Sequence, residues 1–324
     1  MKKFLNVVLL LIILALITVG CYFIGSYIIN KAENAVTQDV NEIMGSEKKN
    51  TETSPIFTLE NYPKVDASLA TQPLTNAFIK NFTGEENITD EYLDYTNTHP
   101  GYIRLIDGEV DLIVVTEPSE EELEYASQKN VELEVVPVVR EGFVFYVNSS
   151  NPVDGLTIEE IQDIYTGKIT NWKKLGGDDE TIRPFQRPAN SGSQTGMLSL
   201  VMKDKEMIEP LKEDLIDTME SIINLTADYD NGKNAIGYSY YYYATTMFDT
   251  IDSSVANKIK LLSVNGIEPN NENIKNETYP LNTAYYIVIR KSEPENSDAR
   301  KLRDAMLSTR GQAVAEEAGY VGVK

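Results

Sequence analysis

One segment of this chain groups side chains suited to holding an oxyanion: Phe185-Gln186-Arg187-Pro188-Ala189-Asn190-Ser191-Gly192-Ser193-Gln194-Thr195-Gly196. Arg187 offers a planar, permanently charged fork that matches a tetrahedral anion. Ser191, Gly192 and Ser193 offer hydroxyl donors and backbone amides that no bulky side chain obstructs. An apolar pattern resumes at Met197-Leu198-Ser199-Leu200-Val201-Met202, so the small residues fall at a helix start, where the dipole adds partial positive charge. The segment taken alone also fits a plain Ser N-cap beside a surface Arg. Other chemistries are poorly supplied. With one His (His99) and one Cys (Cys21), the chain has no His/Cys metal cage and no intrachain disulfide, and a Ser-His-Asp triad would have to use His99. His99 itself reads as an exposed loop residue. Asp228-Tyr229-Asp230-Asn231-Gly232 hints at a calcium loop but lacks the full ligand spacing and the closing Glu, so it reads as a turn. The 50 acidic residues outnumber the 29 basic ones, for a net charge of −21, which argues against a nucleic-acid partner.

The elements that must position these groups alternate between strand and helix. Leu74–Phe82 has helical spacing after Pro73. Val110–Val115 is an apolar run, broken only by Asp111, that predicts a buried parallel strand, with Glu109 and Asp111 solvated or structural at its start. Ser119–Lys129 predicts an acidic helix with Leu123 and Ala126 on its buried face. Val131–Val139 and Gly142–Val147 predict two strands. Thr157-Ile158-Glu159-Glu160 is a capping box opening a helix that Gly167 can end. Another strand is predicted to end at Arg187, and a further one covers Thr283–Ile289, before closing helices at Ser297–Leu307 and Gly311–Ala318. The run Tyr238-Ser239-Tyr240-Tyr241-Tyr242-Tyr243 and Trp172 read as core. This alternation predicts an α/β fold with mostly parallel sheets, whose ligands bind at strand carboxyl ends beside helix N-termini.

The N-terminus is a separate matter. Lys2 and Lys3 precede an uncharged stretch, Phe4–Ile29, longer than the ~20 residues that cross a bilayer, and a strongly acidic chain follows. Residues 1–30 therefore read as a membrane anchor or signal. Thr18-Val19-Gly20-Cys21 resembles a loose lipobox, so an uncleaved transmembrane helix, a lipoprotein signal and a plain secreted signal peptide remain open, and all three place the folded part outside the cytoplasm. Residues 31–56 form a polar linker.

Several segments together resemble one known family. Asn151-Pro152-Val153-Asp154-Gly155-Leu156-Thr157 runs into Asp163-Ile164-Tyr165-Thr166-Gly167-Lys168-Ile169-Thr170-Asn171-Trp172, followed by the Arg187–Gly196 segment, Asn234-Ala235-Ile236-Gly237-Tyr238 and Arg310–Tyr320. In this order they resemble the PstS-like phosphate-binding subunits of bacterial ABC transporters, of the two-lobed type II periplasmic-binding-protein fold. The resemblance implies lobe one at 57–138 plus 276–324 and lobe two at 139–275, closing on an anion between them. It carries the family's contacts onto Arg187, Ser191, Gly192 and Ser193 in lobe two, and onto Ser68 with the following amides (Leu69 first) and Thr98 in lobe one. One position departs. Thr116 stands two residues before Pro118, where some family members carry an Asp that accepts a hydrogen bond from protonated phosphate. The resemblance implies a membrane-tethered oxyanion carrier, most simply for inorganic phosphate, with an ABC permease as partner, no cofactor and no bond broken. A membrane-anchored sensor of the same fold is the alternative. A phosphate-ester hydrolase has no nucleophile–base pair to support it.

Overall fold

The computed structural model describes residues 54–323 except 87, 89–91 and 229–231. The apolar N-terminal run with Cys21, most of the linker and the centre of the predicted 228–232 turn lie outside the described residues. Among the described ones no helix is long and apolar enough to cross a membrane.

The first half is built from short parallel strands joined by helices: β1 (Val65–Ala67), α1 (Gln72–Thr83), β2 (Leu93–Asp94), α2 (Thr98–Asp107), β3 (Leu112–Val115) and α3 (Glu120–Gln128). β1 pairs with β2 and with β3, both in parallel. β4 (Leu133–Asn148) then carries the chain into the second half. That half holds β5 (Gly155–Leu156), α4 (Ile158–Tyr165), β6 (Arg183–Pro184), α5 (Gly192–Gly196), α6 (Met219–Ala227), β7 (Ala235–Tyr240), α7 (Phe248–Ala256), β8 (Ile259–Leu261), β9 (Ser263–Val264) and α8 (Asn271–Lys275). β10 (Asn282–Arg290) returns to the first half, and α9 (Asp298–Leu307), α10 (Thr309–Glu317) and β11 (Val321–Gly322) close it.

The sheet order is β2-β1-β3-β10-β4-β7-β6, with β8 and β11 also on β4 and a separate β5-β9 pair. This corrects the expectation of mostly parallel sheets. Within each half the helical crossovers give parallel neighbours, but β10 runs antiparallel to β3 and β4, and β4 runs antiparallel to β7 and β8. A chain that passes to a second lobe and back must cross in opposite directions, so its crossing strands cannot be parallel.

β4 also replaces the two strands expected on either side of residue 140. It pairs with β10 as far as Gly142 and with β7 from Phe143 onward, so a single strand serves both lobes. Glu141 looks like a break in the pattern, but it is buried, and its carboxylate accepts hydrogen bonds from the amides of Gly142 (2.9 Å) and Tyr242 (3.2 Å). Gly142 is there for space. A Cβ would lie 2.9 Å from Ile274 Cδ1. Phe143–Val147 are fully buried and, with Tyr165, Tyr238 and Tyr240, form the centre of the core.

α3 buries Ala126 as expected but not Leu123. Leu123 is 49% exposed, whereas Glu122 is fully buried beside Ala126. Glu122 completes a capping box with Ser119 and meets His99 Nδ1 at 2.9 Å, which repays burial of its carboxylate. His99 therefore lies in the first turn of a helix, not in an exposed loop. Pro100 and Gly101 disguise α2 in the sequence, yet a Pro in a first turn forfeits only an amide that has no helical partner.

Candidate functional site

Three chain segments meet where the two halves face each other. The first leaves β1. The Ser68 amide donates to Val114 O (3.3 Å), and Thr71 Oγ1 donates to the same carbonyl (2.6 Å), so the turn Ser68–Thr71 is tied to the end of β3 before α1 begins. Ser68 Oγ lies 3.1 Å from Thr71 Oγ1. Tyr320, near the C-terminus, steadies the turn by donating its hydroxyl to Ala70 O at 2.7 Å.

The second segment enters α2 through Asn97, whose φ of 76° is left-handed but whose ψ of 178° lies outside the αL well, in a region normally left to glycine. Buried Asp66 fixes this loop against the first. Its carboxylate accepts from the Ala67 amide (2.7 Å), the Thr96 amide (2.9 Å) and the Thr96 hydroxyl (2.6 Å), with Arg104 as counter-charge. Thr98 then stands at the first position of α2, its Oγ1 3.5 Å from that of Thr116, which follows β3. The Thr116 carbonyl accepts from Tyr102 OH at 2.8 Å.

The third segment is the one singled out for its Arg and small residues. β6 ends at Pro184, earlier than the Arg187 expected, because Gln186 leaves the ladder and bridges to Leu215 instead. Asn190, again left-handed with φ 64°, leads into Ser191, which caps α5 by accepting from the Gln194 amide (3.3 Å). The helix runs on through a π-type turn at Met197–Met202. The backbone of Arg187 is anchored by its amide, which donates to Tyr238 OH (3.0 Å) and Gln194 Oε1 (3.2 Å).

The guanidinium of Arg187 is held from two sides. Nε donates to Ser193 Oγ (3.3 Å) and Nη1 to Ile216 O (2.8 Å). Only 8% of the residue is exposed, and burial lowers its pKa without depriving it of its proton. Among the described residues no carboxylate forms an ion pair with it, and Nη2 donates to no protein acceptor. Asp217 acts on it only through space; a buried cation with no carboxylate in contact is costly, and a bound anion would relieve that cost.

Ser68, Leu69, Thr98, Thr116, Arg187, Ser191, Gly192 and Ser193, the eight residues singled out in the sequence, all line one cavity of about 390 Å³. Leu69, which lines it too, is 46% exposed. Sequence reasoning missed other lining residues, among them Asn97, Asn190, Asp217, Glu220 and Tyr285. The Tyr run was read as core. Tyr238, Tyr240, Tyr242 and Tyr243 are indeed buried, but Tyr240 and Tyr243 also face this cavity.

The two halves touch across the cavity. A Cβ on Gly192 would fall 2.6 Å from Thr116 Oγ1 and 2.7 Å from Thr98 Oγ1, so only a glycine fits between them. Glu117 accepts from Ser199 Oγ, and Glu121 accepts from Asn190 Nδ2, which bridges the rim twice. The arrangement brings hydroxyls, peptide amides and one guanidinium around a single small volume. It offers the donors that a tetrahedral oxyanion requires.

Comparison with known proteins bears on the fold and the family. A family model described as a PBP superfamily domain matches residues 60–308. The phosphate-binding protein PstS of Bacillus subtilis is 29% identical over 260 residues, spanning 80% of this chain and 80% of that protein. A Clostridium perfringens protein solved with bound phosphate superposes with a TM-score of 0.60 at 24% identity, covering 80% of this chain and 98% of the other. An ABC-type phosphate transport receptor from Vibrio cholerae gives a TM-score of 0.58 at 20% identity, covering 79% and 98%. With its two lobes, its shared crossing strand and a domain match across most of its length, the chain belongs to the PBP superfamily.

Proposed function

We propose that this protein is an extracytoplasmic substrate-binding protein that captures inorganic phosphate and delivers it to an ABC permease. The observation that carries the reading is Arg187: a buried guanidinium, in salt-bridge contact with no carboxylate among the described residues, opening on a cavity edged by hydroxyls from both lobes. The PstS name of its relative and the phosphate in the Clostridium perfringens structure support phosphate as the anion. Ser68, the Leu69 amide, Thr98 and Thr116 donate from lobe one (57–138 plus 276–324). Arg187, Ser191, Gly192 and Ser193 donate from lobe two (139–275). The lobes close about the crossing strands, and no covalent chemistry takes place. Residues 1–30 tether the protein to the membrane, as an uncleaved helix or through a lipidated Cys21, and 31–56 hold the binding domain clear of the surface.

Isothermal titration of the protein with phosphate tests this. One site per chain is expected, and Arg187→Met should weaken phosphate binding by at least about thirtyfold. Phosphate binding within about threefold of wild type in this variant would refute the assignment of the site. A wild-type protein that takes no phosphate would refute the function.

A further inference from the structure

The cavity is larger than the anion assigned to it. Four oxygens around one phosphorus displace two to three waters, roughly 60–90 Å³ at ~30 Å³ each. About 390 Å³ is present, within the ~300–1,000 Å³ typical of sites that enclose organic ligands. The surplus space has a chemical character of its own. The Ile216 carbonyl that holds Arg187 leads through Asp217 and Thr218 into the first turn of α6, so acidic Asp217 and Glu220 line the cavity beside the guanidinium. Tyr243 lines it too. Its hydroxyl is pushed up to about 12, chiefly by burial, and it lies within electrostatic reach of both Glu220 and Arg187. Positive charge therefore lies deep and negative charge at the rim, with an aromatic ring near both. A bare dianion uses only the deep end and is repelled by the rim.

We propose that this cavity takes a phosphate monoester or phosphonate bearing a short aminoalkyl group, with its oxyanion at Arg187 and its ammonium at Asp217 and Glu220. The inference rests on the oxyanion reading of the same site and extends it. The ammonium gains two carboxylates and the ring face of Tyr243. An aminoalkyl ligand also carries less net negative charge than phosphate, which eases its approach to a chain of net charge −21. Thr116 suits such a ligand, because its hydroxyl donates to an oxyanion that has no acidic proton to offer.

The test is calorimetric titration of the full chain with inorganic phosphate, phosphoethanolamine, 2-aminoethylphosphonate and ethyl phosphate. The two aminoalkyl compounds should bind about tenfold tighter than ethyl phosphate, the analogue of similar length that lacks the ammonium. Which of the two binds tighter separates an ester source from a phosphonate source. In Asp217→Asn/Glu220→Gln that preference should collapse to less than about threefold. Phosphate binding without binding of any substituted compound overturns this inference and leaves the proposed function standing. Equal affinity for ethyl phosphate and the aminoalkyl compounds overturns it as well. Binding of aminoalkyl ligands without binding of phosphate upholds it and overturns inorganic phosphate as the cargo. Silence toward all four overturns both.

Discussion

Gly192→Ala probes closure directly. The added methyl would stand 2.6 Å from Thr116 Oγ1 and 2.7 Å from Thr98 Oγ1, whereas an ordinary contact begins near 3.4 Å. The lobes must therefore retreat by about 3.4 − 2.6 = 0.8 Å, or both threonines must rotate away. Either response withdraws lobe-one hydroxyls from the anion. Overpacking of this kind costs about 1–3 kcal/mol, which is roughly a fivefold to 150-fold loss of affinity. The clash exists only when the halves meet, so the unliganded protein can relieve it by opening, and its melting temperature should hardly change. Titration calorimetry with phosphate and a ligand-free melt, run in parallel, separate the two effects. A Kd within about twofold of wild type would show that Gly192 does not close against Thr98 and Thr116 in the bound state.

Other consequences follow from the same geometry. Arg187→Met should weaken phosphate binding by about 2–5 kcal/mol, while leaving the ligand-free protein as stable or more so, because a buried cation with no carboxylate in contact is replaced by an apolar chain. Calorimetry and a melt check the two halves of that statement. Glu141 has its pKa raised from 4.5 to about 8, chiefly by burial, against the lowering effect of the amides it accepts from. The folded state therefore binds this proton more tightly than the unfolded chain does. That contribution is fully present below about pH 4.5 and is lost as pH rises toward 8, and it amounts to up to about 5 kcal/mol. Glu141→Gln should flatten the fall in stability over this window, read by denaturant unfolding at several pH values. Thr116 places a neutral hydroxyl in the cradle, so sulfate should compete with phosphate. Thr116→Asp should suppress sulfate binding, as competition titrations at neutral pH would show.

Much of this site could be read in the sequence because its chemistry is local. Ser191, Gly192 and Ser193 follow Arg187 within a few residues, and small residues ahead of an apolar helix carry their own meaning. The lobe-one loops were legible only through resemblance, since Ser68, Thr98 and Thr116 are unremarkable alone and are brought together by the β1–β3 ladder and by Asp66. The buried polar groups were the least legible. Glu141 and Glu122 look like solvent-facing charges until the amides and the His99 that satisfy them are in place. The unbroken β4 was hidden for the same reason, because a charge and a glycine in mid-strand imitate a turn. The fault over sheet direction came from local alternation, which predicts parallel neighbours but says nothing about a chain that crosses between lobes and returns.

The central claim is that one oxyanion sits against Arg187 between the two lobes. Arsenate matches phosphate in shape and charge, and its heavy atom can be located by anomalous scattering. A crystal grown with arsenate should show one arsenic peak per chain, within hydrogen-bonding reach of the Arg187 guanidinium, Ser193 and Thr98 once its oxygens are placed. A peak elsewhere, or none at an arsenate concentration that saturates the protein in solution, would contradict the account.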